Sequence, residues 1–239
     1  MDRNLPYVIT REGGLVFRVA RGFDVFAPPR WSLVEEDGTF GNRFDDPGAY
    51  RGITEDNRFR VIYCATQRAG AFGETIARFR KSPNLLAALK QIDDDGLVEP
   101  ELVGGALPQG WRLGRHLGST HLDEDLIFAD FGAPETLQIL TEELAPWLVR
   151  FKLKEFDLSV MTSQHRRLTQ EAARYVYELA DAGLAFAGIR YLSRLNPSWE
   201  LWAVFHERMI HTPQDISESI RADDPGLVAA ASVLNIGIV

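Results

Sequence analysis

The stretch RVIYCATQRAGAFGE (residues 60–74) decides how this chain folds. It reads as a buried strand running directly into a helix. From residue 59 to 65 the side chains alternate, with Phe59, Val61, Tyr63 and Ala65 on one face and Arg60, Ile62 and Cys64 on the other. Thr66 is placed to cap the helix that follows. Within that helix Phe72, Ile76 and Phe79 fall on one stripe, at spacings of four and three. Glu74 is rotated from Phe72 by about 200°, at ~100° per residue, so it points away from the apolar stripe. A strand tyrosine and a helical carboxylate, Tyr63 and Glu74, thus sit on adjoining elements that can bring them together.

Working outward, residues 13–20 (GGLVFRVA) alternate as a second strand, with Arg18 between Phe17 and Val19. Pro28 and Pro29 break the chain. Arg43 follows in GNRFDDP (residues 41–47), and residues 45–58, rich in Asp, Gly, Asn and Arg, read as an exposed loop. Ser82 and Pro83 suit the start of a helix through Leu85, Leu86 and Leu89. DDDG (residues 93–96) is a solvated turn, since it lacks the alternating ligands and distal Glu of a calcium loop. Residues 97–131 hold short apolar runs consistent with strands, and Thr136 is expected to cap a helix through Trp147.

The clearest helix covers residues 168–182. Leu168, Ala172, Tyr175, Val176, Leu179 and Ala180 trace one stripe, and Gly183 supplies the stop. Strands follow at 186–191 and 201–205, then a short helix at 215–221 and an apolar tail at 226–239. The pattern predicts one α+β domain over residues 1–212, with mixed β-sheets and flanking helices. Residues 213–239 form a C-terminal extension that docks on the domain by default; a second subunit in a homodimer or another protein are the alternatives.

A chain of 239 residues can bury a sizeable core, and 45% hydrophobic with 25% charged residues is average for a globular protein. The net charge of −8 argues against direct binding of nucleic acid, which requires a basic face. It leaves room for a local basic pocket. The single cysteine, Cys64, rules out an internal disulfide and reads as a small buried strand residue. No apolar run of about 18 residues is present, so no membrane span is expected. The N-terminus has no secretory apolar region, and a cytoplasmic location is predicted.

Histidine and metal chemistry find no support. His116 and His121 are five apart, as are His206 and His211, without an accompanying carboxylate pattern. Walker, GxGxxG and GxSxG signatures are absent. Arg18 is more informative, because a guanidinium held beside core strand residues calls for an anion and suits phosphate or carboxylate. Tyr63, Glu74 and Ser193 each have ordinary explanations when taken singly: a packed ring, a solvated carboxylate and a turn cap.

Taken in order, Phe17-Arg18-Val19, NRFDDP (residues 42–47), Tyr63-Cys64-Ala65 with Glu74, the helix start LTQEA (residues 168–172) and the stretch from Gly183 to Ser193 resemble the RES domain family. Asn42 stands where the family has Gly, and Asp45 where it has Asn. The resemblance spans about residues 14–206. It implies a fold like that of ADP-ribosyltransferase toxins and cleavage of NAD by phosphorolysis or hydrolysis. NAD is then a substrate, inorganic phosphate a co-substrate in one version, and neither a cofactor nor a metal is called for. It further implies a toxin paired with a DNA-binding antitoxin.

The resemblance also distributes roles. Arg18 and Arg43 would hold pyrophosphate or incoming phosphate, Tyr63 would orient the nicotinamide ribose, and Glu74 would stabilise positive charge. Ser193, with Thr169 and Gln170 as weaker candidates, would hydrogen-bond the substrate. Two further readings use the same residues: transfer of ADP-ribose to a macromolecule, and a binding module without turnover.

Overall fold

The structure, a computed structural model, describes residues 5–10, 14–81, 105–183, 185–209 and 216–239. The helix expected after Ser82 and the turn at 93–96 lie outside these residues. The architecture is α+β, as the pattern predicts. Its main sheet has eight strands in the order β1-β6-β7-β8-β3-β2-β5-β9. These are β1 Tyr7–Ile9, β2 Leu15–Ala20, β3 Val61–Ala65, β5 His116–His121, β6 Ile127–Asp130, β7 Gly188–Leu192, β8 Glu200–Phe205 and β9 Ile216–Ser219. Neighbours run antiparallel except β6 and β7, whose parallel pairing requires the long helical crossover between them. A second, two-stranded sheet pairs β4 Ala106–Leu107 with β10 Gly237–Ile238.

β3 lies inside the sheet and is covered on both faces, which explains why its alternation is apolar throughout. Val61 and Ala65 face the helices, while Ile62 and Cys64 pack with Val16, Phe128 and Trp202 on the other side. Two helical groups share the first face. Over β6, β7 and β8 lie α3 Pro134–Glu143, α4 Ala145–Arg150, α5 Leu158–Thr162 and α6 Arg166–Glu178. Over the β2–β3 side lie α1 Arg68–Ile76 and α7 Pro225–Leu234. Among the described residues no helix is long and apolar enough to cross a membrane.

Phe72 and Ile76 of α1 are fully buried, and α7 packs Leu227, Ala230 and Leu234 against the same cluster. Each fully buried leucine contributes about 1.5–3 kcal/mol. Asp224 joins the two helices: it caps α7 through the N–H groups of Gly226 (2.9 Å) and Leu227 (3.1 Å) and pairs with Arg68 of α1. Burial works against the Asp224 charge, but Arg68 and the two N–H groups outweigh it and hold its pKa below the ordinary value.

Several local expectations are corrected. Thr66 does not cap α1; its Oγ1 donates to Glu200 Oε2 (2.7 Å) and accepts from Trp202 Nε1 (2.8 Å), partners supplied by β8. Thr136 lies inside α3, fully buried, and the expected helix is split at Leu144 into α3 and α4. Over residues 105–131 the expected strands are present as β4, β5 and β6, but a helix, α2 Gln109–Leu113, anchored by the buried Trp111, lies among them. Where a short helix was expected at 215–221, Ile216–Ser219 forms β9, an exposed edge strand on β5.

The 45–58 loop is exposed over most of residues 49–57, as expected, but the charges at its two ends are buried. Asp45 and Asp46 are each 2% exposed and Arg58 7%. Asp46 Oδ2 accepts from the Phe59 N–H (2.9 Å) and from Arg174 of α6 (3.0 Å), so the loop is tied to the helical layer.

Candidate functional site

β2 pairs along its length with β5, and β3 along its length with β8, yet β2 and β3 share only the register pair Phe17 and Ala65. Beyond that pair the two strands part. A cavity of about 450 Å³ opens there, at the seam between the two helical groups. Arg18, Arg43, Tyr63, Glu74, Arg166 and Tyr191 line it.

Arg43 is presented by irregular backbone that other side chains build. Gly41 turns at φ +72°, and a Cβ there would stand 2.5 Å from a Glu35 carboxylate oxygen. Asp45 accepts from the N–H groups of Phe40 (2.9 Å) and Asn42 (2.6 Å). Thr169 Oγ1 donates to the Arg43 carbonyl (2.6 Å), and Gln170 Nε2 to the Asn42 carbonyl (3.0 Å). The Phe44 N–H donates to the Tyr63 hydroxyl (2.9 Å), while the fully buried Phe44 ring packs edge-on against Phe131 and Tyr191.

Glu74 stands on the outer face of α1, exposed to the cleft, as its angle from Phe72 requires. Gly70 and Gly73 let Trp199 lie against the helix; a Cβ on Gly73 would fall 2.1 Å from the indole ring. Trp199 closes a turn in which it accepts the Ser193 N–H (2.9 Å). Ser193 Oγ then accepts the Leu195 N–H (3.0 Å) and donates to Glu74 Oε1 (2.5 Å).

The expected site residues therefore divide. Arg43, Tyr63 and Glu74 meet around one cavity. Arg18 lines the same cavity, donates to the Ala27 carbonyl (3.2 Å), and also borders a second surface cavity formed by residues 20–33. Ser193, Thr169 and Gln170, expected to bond the substrate, are buried behind the cavity and spend their polar atoms on protein groups. They position Glu74 and Arg43. Tyr191 and Arg166 were not singled out by the sequence reading. For Tyr191 a signal existed: it alternates with the buried Ile189 on β7, as Tyr63 does with Val61.

Electrostatically the cleft gathers three arginines, Arg18, Arg43 and Arg166, and one carboxylate, Glu74. Burial lowers the pKa of both Arg18 and Arg43; nearby Asp24 opposes this for Arg18 and Glu74 for Arg43. Among the described residues neither arginine has a carboxylate ion-pair partner, which leaves both available to an anion. Burial raises Tyr63 and Tyr191 well above the ordinary tyrosine value, reinforced by Asp45 for Tyr63 and by Glu74 for Tyr191. Both phenols stay neutral near pH 7. Among the described residues no three His, Cys, Asp or Glu side chains cluster as metal ligands.

Comparison with known proteins gives three results. The RES domain family model matches residues 15–224. No curated protein matches the sequence. Among solved structures, the chain is similar to one in the M. tuberculosis MbcT–MbcA toxin–antitoxin complex, with 14% identity and a TM-score of 0.44, covering 92% of this chain and 88% of that one.

Proposed function

The chain belongs to the RES domain family, and from that premise we propose that it cleaves the bond between nicotinamide and ribose in NAD. The observation that carries the reading is the meeting of Arg43 and Glu74, delivered by separate elements, across one cavity. Its volume of about 450 Å³ suits a small-molecule site, for which about 300–1,000 Å³ is usual.

NAD carries an anionic pyrophosphate and a cationic nicotinamide. Arg43, with Arg18 behind it, takes the pyrophosphate through charge-assisted hydrogen bonds. The Tyr63 ring walls the ribose. As the C–N bond breaks, its electron pair leaves with nicotinamide, which departs neutral, so no general acid is needed. Positive charge grows on the ribose as in glycoside hydrolysis, and Glu74 stabilises it. Ser193 fixes the carboxylate for that task. Water attacking the anomeric carbon gives ADP-ribose and a proton; inorganic phosphate gives the 1″-phosphate ester.

A toxin role, with a DNA-binding antitoxin as partner, belongs to the same proposal and rests on the family. The test is incubation of the purified protein with NAD, with and without inorganic phosphate, and identification of products. Free nicotinamide with ADP-ribose or its 1″-phosphate supports the reading. ADP-ribose attached to macromolecules in a lysate would replace it with transfer, and intact NAD would overturn it.

A further inference from the structure

Among the polar groups that line the cleft without a part in the chemistry above, Tyr191 is placed to touch a substrate. Tyr191 stands on β7, half-buried, with its ring edge-on to Phe44 at a centroid distance of 5.0 Å. Among the described residues its hydroxyl has no hydrogen-bond partner, although it lies within electrostatic reach of both Glu74 and Arg43. Such a hydroxyl at the edge of a cavity is available to a ligand.

Tyr63 is in a different position. Its hydroxyl takes the Phe44 N–H at 2.9 Å and thereby supports the backbone beside Arg43. The two tyrosines share the cavity, but one is bonded to the scaffold and the other is free of it. In NAD the ribose that bears nicotinamide adjoins the pyrophosphate. A donor between the anion-binding arginine and the carboxylate therefore meets that ribose.

We infer that Tyr191 donates a hydrogen bond to an oxygen of the nicotinamide ribose, and that the Tyr63 hydroxyl acts on the substrate only by holding the Arg43 loop. The assignment rests on the NAD reading and adds a substrate-contacting residue to it. ADP, which keeps the pyrophosphate and lacks this ribose, separates the two tyrosines.

The experiment compares wild type, Tyr191→Phe and Tyr63→Phe by thermal melting, by NAD kinetics and by calorimetry with NAD and with ADP. Tyr191→Phe keeps the ring contact with Phe44, so its Tm and ADP affinity should match wild type. Its kcat/KM for NAD should fall about tenfold, the effect of one hydrogen bond. Tyr63→Phe leaves the Phe44 N–H without its partner, so it should melt earlier and bind ADP more weakly.

Wild-type NAD kinetics in Tyr191→Phe would overturn the assignment. So would an ADP affinity that falls as far as the NAD affinity, because that marks a structural role. If wild type binds NAD without consuming it, the catalytic reading fails by itself. Tyr191 is then still judged by whether its loss weakens NAD binding and spares ADP.

Discussion

The two walls of the cleft hold their charged groups by opposite means. Arg43 stands on irregular backbone whose N–H and carbonyl groups are taken up by Asp45, Tyr63, Thr169 and Gln170. Glu74 stands on a regular helix that needs no such help; Trp199 packed on Gly73 sets its surroundings, and one hydroxyl fixes its carboxylate. A wall built from buried hydrogen bonds is sensitive to the loss of a partner, at about 1–3 kcal/mol for each group left unsatisfied. A wall built from close packing is sensitive to added volume instead.

The sharpest break in this comparison is functional. Glu74→Gln should lower kcat for NAD by about 10²–10³-fold, the scale of a lost transition-state electrostatic contact, and leave ADP binding near wild type. Arg43→Ala should chiefly raise KM. Parallel losses of kcat in both variants would erase the division between a binding wall and a reacting wall.

A smaller effect tests the packed wall alone. Gly73→Leu places its first side-chain atom 2.1 Å from Trp199, so the indole must move and release the turn that carries Ser193. A loss of about 1–3 kcal/mol in urea unfolding is expected. Unchanged stability would mean that Trp199 contributes nothing where it stands.

The smallest effect tests the hydrogen-bonded wall. Burial raises the Asp45 pKa above 3.8, against the bonds from Asn42 and Phe40. The folded state then holds the proton more tightly than the unfolded chain. The Asp45 contribution to stability accordingly falls as pH rises from about 3.8 through the folded value. Both N–H groups donate to the same oxygen, Oδ2, so Asn with its carbonyl oxygen in that place accepts both and does not titrate. Asp45→Asn should therefore gain on wild type across that interval and hold a constant difference above it, as read by unfolding at several pH values. The opposite slope would show that the hydrogen bonds outweigh burial.

Much of the site's frame was legible. The alternation of residues 59–65 gave β3, and the angle between Phe72 and Glu74 put the carboxylate in the cleft, because both are short-range periodicities. What escaped depends on partners far along the chain. Thr66 looks like a cap until β8 brings Glu200 and Trp202 beside it. The 45–58 loop is solvated along its middle, but nothing local reveals that its ends are buried and that Arg174 neutralises Asp46. Ser193, Thr169 and Gln170 were found as polar residues of the site, but direction is a tertiary property. A hydroxyl that meets a substrate and one that steadies a neighbour have the same sequence.

The union of α1 with α7 has a consequence for when the protein can act. The helix bearing Glu74 buries Phe72 and Ile76 against Leu227, Ala230 and Leu234, and Arg68 against Asp224. On a growing polypeptide those contacts do not exist until residue 234 has been translated. A partly synthesised chain already contains Arg18, Arg43, Tyr63, Glu74 and Ser193, yet the layer that seats α1 is still missing. Synthesis order thus delays the completed site until the α7 segment has been made, long after Glu74 itself.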